Sequence, residues 1–424
     1  MKQLSLFLWG LLLAFCSCSR EPIVDVSIAT DSTRITQEEA LKTLGRFLAD
    51  TRVADQRTIQ SVDTHYSTKN SGVREADAYI VNYTNNEGFA VLGANTYLDE
   101  IVAITESGHI DASTLDVSFS DQDDSVSLKH AAFVKQIIEF GLANGKQMGL
   151  RGEGDIDWEE DDSNPGGENG GGSSGGGGGS SFVTRDPMLT YSWGQSSPYN
   201  WYCFRTTIGG NYVNAYTGCS TTAMAMIVTY NEFPQTVSVN NNTLNWTLMK
   251  SEYVAGNLDS TGKNHVALLM GSIYNFVNKI ATEDYTMITP QQIKNRMEDF
   301  GYTNVVKHSD SDFTIDMVSA VSQMLRHYKP VFISAIPGTT FSAAHSWVID
   351  GAKYISGSYL LHFNFGWQGY CNGYFSRSCL NPAHGLEYDN GYTYNEDDDY
   401  TYSWHFRVIT YDIPVGNYTL QISY

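Results

Sequence analysis

The chain has 424 residues, too many for a single ordinary core, and a formal net charge of −21 from 47 acidic against 26 basic residues. Nucleic acid is excluded as a partner because binding it needs clustered Lys and Arg, and an anionic membrane surface is excluded for the same reason unless a lipid anchor supplies the contact. Neither HExxH nor paired CxxC occurs among the histidines and six cysteines, so no zinc site and no cofactor is expected.

At the start of the chain, Lys2 precedes the apolar stretch from Leu4 to Phe15, which is too short to span a bilayer and leads into Cys16, Ser17 and Cys18. This is the layout of an export signal over residues 1–18. It resembles a bacterial lipoprotein signal, in which a small residue precedes the acylated cysteine, so Cys18 after Ser17 is the expected lipidation site. An ordinary signal peptide cut nearby is the alternative. Either route puts the mature protein outside the cytoplasm, as an outer-membrane or cell-surface lipoprotein or as a secreted protein. No later run is long and apolar enough to span a bilayer.

Residues 22–150 read as a small α+β module. Thr36 and Glu39 form a capping box for a helix that places Ala40, Leu41, Leu44, Phe47 and Leu48 on one face. Alternation from Ala78 to Tyr83, a turn at Asn85 and Asn86, and the apolar run from Gly88 to Leu92 predict a hairpin. A further helix is expected from about Ser127 to Leu142. Residues 151–185 then form a linker, with an acidic cluster from Asp155 to Asp162 and ten glycines among the sixteen residues from Gly166 to Ser181. Such a tract builds no core; it tethers two domains without fixing their angle, and it is a natural place for proteolytic nicking.

In residues 186–424, the run TGCSTTAMAMIVTY places Cys219 after a glycine at the start of an apolar helix that ends before Pro234. Ser220, Thr221 and Thr222 are in place to cap its first N–H groups. A thiol at the positive end of a helix dipole is lowered toward the range where a thiolate exists, and the thiolate is the attacking species. A small buried cysteine is the plainer alternative. The base for such a thiol is His345, in FSAAHSWVIDGA, which lies 126 residues downstream of Cys219. Nineteen residues further, Asn364 offers an amide to fix the imidazole's tautomer, with Trp367 to cover that hydrogen bond. Upstream, Gln195 offers a side-chain amide to join the Cys219 N–H in stabilising an oxyanion. Helices are expected around Val266 to Ile280 and from the capping box Thr289-Pro290-Gln292, followed by strands around Val331 to Ile336, Trp347 to Ile349, Tyr359 to Phe363 and His405 to Tyr411. Helices first and strands later make the class α+β.

Four segments in fixed order, WGQSSPYN (Trp193 to Asn200), TGC with its Ala-rich helix, AHSWVIDG (Ala344 to Gly351) and HFNFGWQG (His362 to Gly369), resemble the streptopain family of secreted bacterial cysteine peptidases. The resemblance covers about the last 240 residues. It implies a two-lobed papain-like domain that hydrolyses peptide bonds in protein or peptide substrates. Cys219 would be the nucleophile, His345 the acid/base, Gln195 an oxyanion donor, Asn364 the orienting residue and Trp367 a supporting aromatic. It also implies that residues 22–150 are a propeptide-like inhibitor of the same chain; a separate binding domain or a protease-inhibitor module is the competing reading. The family's Asn-Trp-Gly-Trp appears here as Asn364, Phe365, Gly366 and Trp367, and Thr221 and Met226 replace alanine and glutamine, which keeps a catalytically silent binding protein in view. His362 shares a strand face with Asn364 and is expected to be structural. Cys371 and Cys379 are spaced to pair as a disulfide in an oxidising compartment, with Cys203 left buried.

Overall fold

The computed structural model describes residues 33–49, 57–68, 74–116, 131–142 (without 132, 136 and 140), 184–208, 211–251, 260–277, 279–281, 286–309, 317–336, 345–355, 358–376 and 405–424. The export signal with Cys16 and Cys18, the Gly/Ser tract and Cys379 lie outside the described residues, so the expectations made for them carry no structural statement here.

The N-terminal region opens with helix α1 (Gln37–Ala49). Its capping box is reciprocal: Glu39 N donates to Thr36 Oγ1 at 3.3 Å and Thr36 N donates to Glu39 Oε2 at 2.8 Å. Strands β1 (Ile59–Thr68), β2 (Arg74–Tyr83), β3 (Phe89–Gly93) and β4 (Ile101–Thr105) follow as an antiparallel meander. The turn between β2 and β3 carries Asn85 and Asn86, both at φ 58°, a conformation asparagine tolerates better than most residues. Alternation along β2 serves two layers. Tyr79 and Val81 pack with Ala40, Leu44 and Phe47 of α1, while Ala78 and Ile80 share a core with Phe133, Val134, Ile137 and Ile138 of the helical residues between 131 and 142.

Beyond the linker come a short hairpin, β5 (Arg205–Ile208) and β6 (Asn211–Asn214), and helix α2 (Cys219–Asn231), which is buried from Ser220 to Thr229. A helix enclosed on every side forms the middle of a core. Strands β7 (Thr236–Val239) and β8 (Asn242–Thr243) pair beside it, followed by helices α3 (Trp246–Ser251) and α4 (Ser260–Tyr274). The helix expected to reach Ile280 stops at Tyr274: Phe276 N turns back to Ile273 O, Lys279 Nζ donates to the Tyr274 carbonyl at 2.8 Å, and Ile280 instead pairs with Met287 in the ladder of β9 (Ile280–Ala281) and β10 (Thr286–Met287). Helix α5 (Pro290–Asp299) starts on the expected capping box of Thr289 and Gln292.

The remaining elements are β11 (Thr303–Ser309), α6 (Met317–Arg326), β12 (Val331–Ile336), β13 (His345–Ile355), β14 (Ser358–Asn364), β15 (Gly373–Ser376), β16 (His405–Asp412) and β17 (Thr419–Ile422). Ten strands form one sheet in the order β1-β2-β3-β4-β15-β14-β13-β12-β16-β11. The N-terminal meander therefore continues the sheet of the C-terminal region through an antiparallel seam in which Thr105, Ile104 and Ala103 face Gly373, Tyr374 and Phe375. The sequence left the relative placement of the two regions open; this ladder sets it.

Gly373 is where that seam is tightest, because a Cβ there would fall on the Ile104 carbonyl and within 2.6 Å of the Thr105 Cα. Replacing it, Gly373→Ala, is expected to cost about 1–3 kcal/mol by overpacking. Urea unfolding of the full chain checks this, and an unchanged midpoint would mean that the seam is looser than described.

Candidate active site

Helix α2 begins at Cys219 because Gly218 turns the chain just before it. Gly218 has φ 82°, and a Cβ at that position would come within 2.8 Å of the Thr286 carbonyl, so only glycine lets the backbone enter the helix here. No side chain caps the helix. Two of the hydroxyls expected to do so bond elsewhere, because the helix start is packed between other elements, and the buried Thr221 Oγ1 has no hydrogen-bond partner among the described residues. Ser220 Oγ donates to Ile288 O at 2.9 Å and lies 2.9 Å from Ser346 Oγ, and Thr222 Oγ1 faces the carbonyls of Gly194 and Gly218. The Ser220–Ser346 contact pins the first turn of α2 to the first turn of β13, the strand that begins with His345.

The thiol differs from the sequence expectation. Burial raises the Cys219 pKa above its ordinary value, opposed by hydrogen bonds from the backbone and side chains of Ser346 and Ser220. Burial of the thiol thus opposes the lowering expected from its position at the helix start.

His345 is half-buried and sits in a column of rings. Its imidazole stacks on Trp367 with centroids 4.4 Å apart, and on its other contacts lies 5.9 Å from Trp347 and 6.0 Å from Phe365. Its Nε2 is 2.9 Å from the carbonyl oxygen of Phe365. A carbonyl only accepts, so Nε2 carries the proton and Nδ1 is the basic nitrogen of the neutral ring. Phe365 itself stacks on Trp367 at 5.1 Å, so the phenyl ring in place of an indole preserves the column.

Asn364 requires a correction. Its Nδ2 donates to Tyr191 O at 3.1 Å and to Ser192 Oγ at 3.3 Å, and its Oδ1 accepts from Gly366 N at 3.3 Å. The amide expected to face the imidazole is thus spent on tying the segment 191–193 to the loop after β14, and the ring takes the next residue's carbonyl instead. The reason is the turn: Gly366, at φ 70°, folds the chain so that the Phe365 carbonyl reaches His345. Asn372 reinforces the same loop, accepting from Phe365 N and donating to Ser192 Oγ. Gln195 is half-buried beside this segment, and its carbonyl accepts from Thr217 N at 3.0 Å, which holds it two residues from Gly218–Cys219.

Asp350, Glu106 and Phe133 were not singled out from the sequence, and His362, expected to be structural, meets the first two. Asp350 is fully buried and accepts from Leu189 N at 2.9 Å and from His362 Nδ1 at 2.6 Å. His362, only 3% exposed, has Glu106 Oε1 of the N-terminal region 3.4 Å from its Nε2, an ion-pair contact without hydrogen-bond alignment. Burial alone lowers an imidazole, but Asp350 and then Glu106 overcome it and bring His362 to about 10. Phe133, also of the N-terminal region, places its ring edge-on to Trp347 at 5.6 Å and to Phe365 at 5.4 Å, behind the rings that hold His345. A signal for the first of these was legible: an aspartate inside the apolar run WVID needs a buried partner. Among the cysteines, Cys203 and Cys371 are free and buried.

Comparison with known proteins agrees with this arrangement. Residues 193–375 match the model of the peptidase C10 family, and residues 32–123 match that of the Spi protease inhibitor. Streptopain of Streptococcus pyogenes serotype M28 is 26% identical over 196 residues, which cover 40% of this chain and 48% of streptopain. The thiol protease/hemagglutinin PrtT of Porphyromonas gingivalis is 23% identical over 381 residues, covering 82% of this chain and 39% of PrtT. The chain thus spans about half the length of the streptopains or less of the curated relatives it matches. The structure of a prointerpain A fragment from Prevotella intermedia superposes with a TM-score of 0.52 at 19% identity, covering 82% of this chain and 98% of that one. The fold is therefore that of a prodomain-like region followed by a papain-like domain, an α+β arrangement.

The His362–Asp350 pair has a pH signature. An imidazole raised in the folded state stabilises fully below its unfolded value of about 6.5 and loses that contribution as pH climbs toward about 10. The unfolding midpoint of the chain should therefore fall more steeply between these pH values than that of His362→Gln, measured by thermal melts of both. Parallel slopes would count against the pair.

Proposed function

We propose, from the place of residues 193–375 in the peptidase C10 family, that the chain is an exported cysteine endopeptidase made in a latent form. The observation that carries this reading is the meeting of α2 and β13: Cys219 opens a buried helix, His345 opens the strand bonded to that helix's first turn, and Trp367 stacks on the imidazole. In the reaction, the Cys219 thiolate attacks the scissile carbonyl and forms a thioester with the acyl half of the substrate. His345, having taken the thiol proton, gives it to the departing amine and then draws a proton from water, whose oxygen attacks the thioester and returns Cys219. In this reading Gln195 and the N–H groups at the uncapped start of α2 receive the oxyanion.

The N-terminal module, residues 22–150 with the linker 151–185 behind it, is read as the inhibitor of this site. The state described is read as a resting one because the Cys219 thiol is raised by burial and hydrogen-bonded to Ser220 and Ser346, whereas the bond of His345 Nε2 to the Phe365 carbonyl orients the ring for either state. Phe133 braces Trp347 and Phe365 from behind, so the ring column that positions His345 is packed partly by the module. Substrates are proteins or peptides. The export signal and the acylation of Cys18 belong to this reading as well, and place the enzyme outside the cytoplasm.

Two outcomes are expected. Cys219→Ser should lower peptide hydrolysis by at least about 10³-fold with an unchanged circular dichroism spectrum, since a hydroxyl is a far weaker nucleophile beside the same base. Retained turnover in that variant would end the assignment. Phe133→Ala should raise labelling of Cys219 by a thiol-directed peptidyl inhibitor in the uncut chain, because losing a buried phenyl costs about 3–5 kcal/mol of module packing. Labelling no faster than in the parent chain would leave the module without a role in latency.

A further inference from the structure

His362 is a buried cation whose second nitrogen points at the module. Asp350 takes Nδ1 at 2.6 Å, while Nε2 has no hydrogen-bond acceptor and faces Glu106 Oε1 at 3.4 Å. Glu106 directly follows β4, and its own N–H donates to Asn372 O at 2.7 Å, so its backbone is part of the seam with β15. The Tyr374 ring packs edge-on against the imidazole at 5.0 Å and closes the site from the side. The charged groups around the pair are Asp350 and Glu106 on the imidazole, Arg57 and Lys353 near Glu106, and Asp186 near Tyr374. One buried imidazolium between two carboxylates leaves a net negative charge if both are present, which Arg57 and Lys353 offset from outside.

We propose that His362 and Asp350 form a carboxylate-receiving site in the C-terminal domain, and that its occupant is Glu106 of this chain's own N-terminal module. The module thus docks by two matched devices: a strand ladder that any extended segment can form, and one carboxylate that must meet a buried imidazolium. The ladder supplies main-chain bonds without regard to sequence, whereas the carboxylate fixes register, because a shift of one residue along β4 would turn Glu106 to the opposite face. Removing the module leaves Nε2 of a buried, charged ring with no anion in front of it. For its consequence in latency the proposal rests on the inhibitory reading of the module; for its geometry it does not.

Amide hydrogen exchange on the full chain separates the two. In Glu106→Gln, amides of the β4–β15 ladder should exchange roughly three- to tenfold faster than in the parent, with β12 amides unchanged, and Glu106→Asp should recover part of the loss. Raising salt to about 1 M, where the screening length is about 3 Å, should speed the ladder in the parent chain and not in Glu106→Gln. Unchanged ladder exchange, equal acceleration in β12, or the same salt response in both chains would overturn the docking role. Labelling of Cys219 by a thiol-directed probe, read in the same samples after the linker is cut and the module removed, tests the peptidase reading by itself, so its failure is not confused with failure of the docking site.

Discussion

An unpaired sheet edge is the constraint on which this structure turns. Strand β15 is only four residues long, yet one side of it must be satisfied by β14 and the other by something else. In this chain that something is β4, from a region more than 250 residues earlier in sequence, and the approach is close enough that position 373 admits no Cβ. Once β4 is in place, the helix packed across its meander brings Phe133 against the rings of Trp347 and Phe365, and Glu106 arrives in front of His362. Latency, on the reading proposed here, is a property of the sheet before it is a property of the cleft.

The electrostatics follow from where water is excluded. The thiol of Cys219 is partly buried and the imidazole of His362 is deeply enclosed, and both are raised, with opposite consequences for charge. Burial raises the thiol and leaves it neutral, with only serine hydrogen bonds opposing the effect. The imidazole, buried more completely, stays charged because a carboxylate at 2.6 Å outweighs the cost. The same low-dielectric interior therefore silences one group and fixes the other.

Much of the site was legible in the sequence because its parts are local. The glycine before Cys219, the helix that follows, the histidine at a strand start and the aromatic two residues beyond Phe365 are all short-range patterns, and the capping boxes at Thr36 and Thr289 fixed two helix starts. What was not legible depends on contacts across long stretches of chain. Asn364 looked like the orienting residue because the motif places it near His345, but the turn at Gly366 hands that position to the Phe365 carbonyl. Nothing in the neighbourhood of Glu106 or Phe133 marks them, since their partners lie over two hundred residues away and meet them only through the β4–β15 pairing. The hydroxyls of Ser220 and Thr222 followed the usual capping pattern and failed for a related reason: a helix buried on all sides spends such groups on nearby carbonyls rather than on its own N–H donors.

These contacts also separate what the tether does from what the interface does. A tether, as residues 151–185 are read from their sequence, raises the effective concentration of the module at the seam, to about the millimolar range for short flexible chains. Among the described residues, the module is held by contacts that include the ladder to β15, the hydrogen bonds of Ser107 with Gly369 and Cys371, the rings around Phe133, the packing of Phe47 against Tyr374, and the carboxylate at His362. A cut in the tract removes that concentration effect and leaves these described contacts in place. Freeing the ring column around His345 requires that surface itself to part, and its weakest element is the one whose strength depends on charge: a half-solvated carboxylate is screened by salt and neutralised by acid, whereas the ladder and the rings are not.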